Sequence, residues 1–464
     1  MSADKKATPN KASKVSKAED TPKQTHKKQQ DSTSTKSSNK QPKSSEAKPT
    51  EALSPKSTRT ISDIYESFSD NIKSIDLFFD RLSPAAETED EAANSDFINF
   101  IEETVEEIIE DIQNDPAEAE SKLKNLTPEN RKNAVNGVLD HLKTLSLLST
   151  TNLDILARGS FIMLNNYFEY IFSDLLTYFY LRNSSIIDNR KMSISIGELK
   201  KYSSIDDAYE DIIYKEVEST LLDLNFEELK NYFKDKLKID LEEDIINWDF
   251  INETRERRHI IVHNNSVINN KYLSRSKNIF NLELNKIITI DKEYFKNALS
   301  ELRLAGTLLI INFWGKLDKD KATDAIKELM DLSFNFLKTK DYQSVINICK
   351  YTSKRIKPND DEQEELVIRI KYNHCLALMR SNQQKELDEI MKYMKTGALS
   401  PIFKIAHCVL KNNLDDAVKL IPKAIHADDL TLDDYDDWPL FDEIRLNEEL
   451  NQQALEFFAK EQPQ

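Results

Sequence analysis

The chain has 464 residues, 31% charged, 39% hydrophobic and 9% aromatic, with a formal net charge of −17. It holds only six glycines, and no two lie closer than Gly306 and Gly315. That excludes the glycine-rich phosphate loops, whose backbone must approach phosphate with no side chain in the way, and disfavours a turn-rich β architecture. Residues 1–50 carry twelve Lys against five carboxylates, net +7, so the rest of the chain stands at −24. Such a body is a poor general nucleic-acid binder, and any RNA contact has to be local or helped by the basic segment.

Residues 1–58 are Lys, Ser, Thr and Pro with almost no large apolar side chain. They cannot bury enough surface to offset chain entropy, which predicts a disordered basic tail, either a polyanion tether or a solubilising extension. Met1 to Thr60 contains no apolar block of the kind a secretory leader needs. The longest apolar run, Leu304 to Gly315, is too short to cross a bilayer. Cys349, Cys375 and Cys408 are widely spaced among apolar neighbours, as buried thiols in a reducing compartment would be. A cytoplasmic protein without membrane association is expected.

The first helical segment is expected over 59–150. Ile61, Ile64, Tyr65, Phe68, Ile72, Ile75 and Phe78 recur at helical steps. "SPAAETEDEAANS" reads as a polar break before the helices "DFINFIEETVEEIIEDIQ" and "PENRKNAVNGVLDHLKTLSLL", with Pro128 suited to a first turn. From 151 to 317 the apolar face of "LDILARGSFIMLNNYFEYIFSDLLTYFYL" is followed by shorter helices. "EDIINWDFINETRERRHIIVH" should be helical to about His263 and stop at Asn264-Asn265-Ser266, and "KEYFKNALSELRLAGTLLIINFWGKL" closes the block. From 318 to 464 helix pairs recur around the turns KTKD, RSNQ and KNNL, 42 and then 31 residues apart. Paired helices of this kind stack into an α-solenoid. They resemble tetratricopeptide-type repeats, with "DDWPLFDEIRLNEELNQQALEFF" as a terminal cap. The expected fold class is all-α: a helical bundle followed by a helical-repeat array.

Five cationic or imidazole groups crowd into Arg255 to His263. Arginines near a helix C-terminus complement its dipole, which accounts for the cationic run but leaves His263 unexplained. His259 and His263, four apart, share a helix face, yet a zinc site needs a third ligand and no H-E-x-x-H or Cys partner accompanies them. No metal or cofactor is therefore expected. An imidazole can take a proton from a ribose 2′-OH or give one to a leaving oxygen. A guanidinium presents a planar fork to phosphate oxygens.

Arg258 to His263 spells R-x-x-x-x-H. With its "HNN" continuation and the upstream helix "LNNYFEYIFSDLL", the stretch from about 150 to 315 resembles the HEPN superfamily of helical domains, widespread in prokaryotic defence and RNA processing. The resemblance implies metal-independent RNA cleavage at a site shared by a homodimer. Arg258 then holds the phosphate, His263 is the acid or base, and His259 orients its partners. Glu169 faces the motif from the upstream helix, while Asn264 and Arg255 contact substrate or position His263. In the members paired with small nucleotidyltransferases a Tyr stands two residues after the His; Asn265 occupies that place here, and Tyr272 is the next tyrosine. The alternative is a catalytically inactive dimerising or RNA-holding scaffold. In either case the repeats would take a protein or peptide partner, and an acidic concave face would favour a basic one.

Overall fold

The computed structural model of the chain describes residues 59–114, 121, 127–129, 132, 150–183, 194–394 and 400–461. The expected basic tail, and most of "PENRKNAVNGVLDHLKTLSLL", lie outside the described residues. Among the described residues the structure is all-helical, and its only extended pairing is the single antiparallel bridge Val267–Ile287. No helix among them is long and apolar enough to cross a membrane.

Helix α1 runs unbroken from Ile61 to Asn114 with Pro84 inside it, so the expected break at Ser83–Ser95 does not form. Pro84 removes one backbone donor. The neighbouring Ala and Glu are strong helix formers, and Thr88 Oγ1 donates to the Pro84 carbonyl at 2.9 Å. The buried face also differs from expectation at one position: Phe79 is fully buried and Phe78 is 48% exposed. A step of four from Ile75 keeps closer to the 100° periodicity of the stripe than a step of three does.

Helix α2 (Asn152–Arg182) packs along α1 and along α8 (Lys292–Leu317). Asp90 of α1 accepts from the backbone N–H groups of Asn152 at 2.7 Å and Leu153 at 3.0 Å, satisfying donors that a helix start leaves free. The expected face, Phe161, Leu164, Phe168, Ile171, Phe172, Leu175 and Phe179, is buried throughout. Around this three-helix core lie α3 (Ile196–Leu199), α4 (Ile205–Asp223), α5 (Phe226–Asn231), α6 (Trp248–His263) and α7 (Asn270–Arg275). Gly306 lies where α8 meets α1 and α2. A Cβ there would overlap Phe68 Cζ and fall 2.6 Å from Ile171 Cδ1. Gly306→Ala should therefore lower stability by about 1–3 kcal/mol through overpacking, read as a fall in thermal midpoint with the far-ultraviolet spectrum unchanged.

Three helical hairpins follow: α9 (Ala322–Lys338) with α10 (Tyr342–Arg355), α11 (Asp361–Arg380) with α12 (Gln384–Tyr393), and α13 (Pro401–Leu410) with α14 (Leu414–His426). Their turns close identically. Lys340, Asn382 and Asn412 each adopt φ between 57° and 62°. The next N–H in each case donates to a carbonyl five residues back, Phe336, Leu378 and Cys408, at 2.9 Å. This is the hydrogen-bonded closure of a left-handed helix stop, and it falls at the three turns expected from the sequence. The chain ends in α15 (Leu432–Asp437), α16 (Asp442–Leu446) and α17 (Glu448–Glu461). Trp438 Nε1 donates to Asn373 Oδ1 at 3.2 Å, and Asn373 Nδ2 to Ser333 Oγ at 2.9 Å, tying this terminal segment to α11 and α9. Cys349 and Cys375 are buried, and that burial pushes their thiols up to about 11 and about 12, as for packing residues.

The first hairpin joins the bundle through a buried carboxylate. Glu242 is fully buried and accepts from Arg355 Nε at 2.7 Å and Lys354 Nζ at 3.0 Å, both on α10. Tyr351 of α10 donates to Asn312 of α8 at 2.9 Å.

Candidate functional site

Helix α6 starts at Trp248, later than the sequence suggests. Residues 241–246 instead form an irregular, largely buried connector, and the Trp248 indole donates to the Leu241 carbonyl at 2.8 Å. Asn247 caps the start by accepting from Phe250 N at 3.1 Å. The stop falls where "HNNS" predicts. Asn265 and Ser266 take φ of 47° and 62°, and the N–H groups of Asn264 and Ser266 both donate to the Ile260 carbonyl. The chain then folds back, with Ile260, Ile268, Tyr272 and Ile288 forming a small second core beneath the helix end.

Glu169 of α2 brings two of the candidate arginines together. Its Oε1 accepts from Arg255 Nε at 3.1 Å, and its Oε2 pairs with Arg258. Arg255 is held a second way, 4.2 Å above the Phe226 ring, so it packs more than it projects. Arg258 keeps about a fifth of its side chain exposed, and its Nε is buried without a hydrogen-bond partner among the described residues. Two arginines on one carboxylate leave this edge with a net positive charge.

His259 and His263 form the second group, ring centroids 4.8 Å apart. His263, the last residue of α6, is exposed; His259 is half-buried. Burial holds His259 below the usual imidazole value, Glu256 opposes this, and Lys271, His263 and Arg275 add to it. No hydrogen bond joins Arg258 to His263 among the described residues. Five residues of α-helix turn them about 140° apart, so one chain presents a half-buried guanidinium and an outward imidazole rather than a closed pair. Asn264 donates to the Val267 carbonyl at 2.5 Å and belongs to the turn. No group of three or more His, Cys, Asp or Glu able to hold a metal ion occurs among the described residues.

Arg257, in the middle of the cationic run, is 5% exposed. Its Nε donates to Glu253 at 2.7 Å, and its guanidinium lies 3.6 Å over the Tyr294 ring. Tyr272 is buried and donates to Glu253 at 2.5 Å, while Tyr294 donates to the other carboxylate oxygen at 2.5 Å. Burial, then Glu253, raises both tyrosines well above the ordinary phenol value. Glu253 is thus the residue that sequence reasoning missed. Its one signal is the four-residue spacing to Arg257, which normally describes a solvated helix pair.

Compared with family models, with curated proteins and with solved structures, the chain matches none.

Proposed function

We propose that the chain is a metal-independent endoribonuclease of HEPN type whose site is completed by a second copy, with the helical repeats holding a regulatory protein or peptide. Prokaryotic antiviral defence by growth arrest is the setting this reading implies. The observation that carries it is the edge itself: Glu169 fixes Arg258, whose buried Nε has no hydrogen-bond partner among the described residues, on the helix that ends in the exposed His263. The outward divergence of Arg258 and His263 suits a site assembled from two chains. Exposed Tyr170 beside Glu169 and exposed Val262 beside His263 offer apolar surface for such a partner.

In the proposed reaction an imidazole takes the ribose 2′-OH proton, and the 2′-oxygen bonds to phosphorus. The 5′-oxygen leaves with a proton supplied by the second copy's imidazole. The products are a 2′,3′-cyclic phosphate and a 5′-hydroxyl. Arg258 holds the phosphate oxygens as charge builds on them. Full-length protein incubated with structured and unstructured RNA in EDTA should yield fragments with 2′,3′-cyclic phosphate ends. RNA left intact across protein concentrations that populate the dimer would overturn the reading.

Glu169 is a positioning residue in this scheme. Glu169→Gln should slow cleavage by about a hundredfold, because a guanidinium displaced by about 1 Å loses that much. Glu169→Asp should retain more activity, and the binding of uncleaved RNA should change far less than the rate.

One observation favours the scaffold alternative, in which the domain dimerises without catalysis. The Glu169 carboxylate already neutralises the outer edge of Arg258. Under that alternative His263→Ala leaves the biological effect intact, and loss of residues 318–464 removes it.

A further inference from the structure

A cavity of about 510 Å³ lies where the bundle meets the first hairpin, walled by the end of α8, the 238–240 segment, the start of α9 and the end of α10. Lys238, Lys316, Lys319, Arg355 and Lys357 line it, with Asp240 as the only carboxylate on its wall. Arg355 is satisfied by Asp240 and Glu242. The other four cations make no ion pair with any described residue. Among the described residues Lys316 donates to the carbonyls of Leu237 and Lys238 alone. Burial and the neighbouring Lys238 push its ammonium below the ordinary lysine value, as expected where positive charge is uncompensated. Helix α9 starts at this wall with Ala322 and has no side-chain cap, so its positive end adds charge of the same sign. Four lysines without an ion pair among the described residues, gathered around one concavity, run against a body that carries −24 outside its first fifty residues.

We propose that this cavity binds the phosphate of a small phosphorylated molecule. Its volume falls in the range of small-ligand sites. Ile239, Ile311 and Ile356 supply an apolar wall for whatever carries the phosphate. A polynucleotide extending beyond the cavity would lie against a body of strongly negative net charge, whereas a small ligand would not. The site is separate from the Arg258–His263 edge and does not depend on the ribonuclease reading.

The test is calorimetric titration of the full-length protein, in EDTA at low salt, with pyrophosphate, ATP, adenosine and a twelve-nucleotide RNA. The wild-type protein is compared with K319E/K357E, both exposed positions whose reversal leaves the basic N-terminal segment intact. Pyrophosphate and ATP should bind and adenosine should not, and the double variant should weaken phosphate binding by at least about tenfold. Tighter ATP than pyrophosphate identifies a nucleotide; equal affinities identify the phosphate group alone. Three results overturn the proposal: equal affinity in both proteins, no binding of pyrophosphate or ATP, or lysine-dependent binding of the RNA alone. Should the double variant fail to reach the wild-type thermal midpoint, Lys357→Gln serves the same comparison, with a smaller loss expected.

Discussion

His263→Ala should abolish most RNA cleavage, by about 10²- to 10⁴-fold, the usual contribution of a positioned acid or base, while thermal stability stays within about 0.5 kcal/mol of wild type. The separation follows from where the residue sits. His263 ends α6, is exposed, and makes no hydrogen bond among the described residues, its ring lying beside that of His259. Removing it therefore exposes no core and orphans no buried group. Arg258→Ala behaves differently, because it also leaves Glu169 with Arg255 as its sole partner and loosens the contact between α2 and α6. A second readout distinguishes chemistry from structure. His263 is among the groups that hold the His259 imidazole low, so the His263→Ala variant should show His259 titrating at higher pH when followed by NMR. A rate unchanged by His263→Ala would end the nucleolytic reading, whatever the stability of the variant.

The fold was largely legible because its helices advertise themselves by period. The α8 boundaries fall where the sequence places them, and the three hairpin turns fall at KTKD, RSNQ and KNNL. The break expected in α1 does not form because polar composition is not by itself a turn signal: "AAETEDEAA" has high helix propensity, and Asp90 has a capping role on α2 that only the packing reveals. At the site, Arg255 and Arg258 both pair with Glu169, and the His259 ring lies beside that of His263. Burial inside the cationic run was not legible. A helix face is set by its neighbours, and Arg257 turns toward α8, where the Tyr294 ring receives it while Glu253, one turn back on α6, pairs with its guanidinium. Read one residue at a time, Arg257 and Arg258 look alike; the 100° between them separates a core strut from a candidate phosphate ligand.

Glu253→Ala should destabilise the protein by about 3–5 kcal/mol, the usual cost of leaving a buried charge without its partner. Glu253 is 1% exposed and accepts from Arg257 and Tyr272 on one oxygen and from Tyr294 on the other. Alanine would strip all three donors of their acceptor in a region that water does not reach. Arg257 would retain the Thr289 carbonyl at 3.1 Å and its contacts with the Tyr294 and Phe280 rings, none of which carries a negative charge. Against a typical domain stability of about 5–15 kcal/mol the loss is a large fraction, so a clear fall in denaturation midpoint is expected. Glu253→Gln, which keeps an acceptor oxygen, should lie between. The double variant Glu253→Leu with Arg257→Met should recover part of the loss, because it removes the stranded Arg257 charge while the Tyr272 and Tyr294 hydroxyls stay without their acceptor. A single-variant cost below about 1 kcal/mol would mean that Arg257 is solvated and that α6 is held by its apolar contacts alone. The effect should reach the candidate site without any contact at it. The Glu253 cluster joins α6 to α8 and to Tyr272 in the returning chain, and it sits one turn before Arg257 on the helix that orients Arg258. A folded Glu253→Gln protein should therefore lose cleavage rate while keeping His263 intact and exposed.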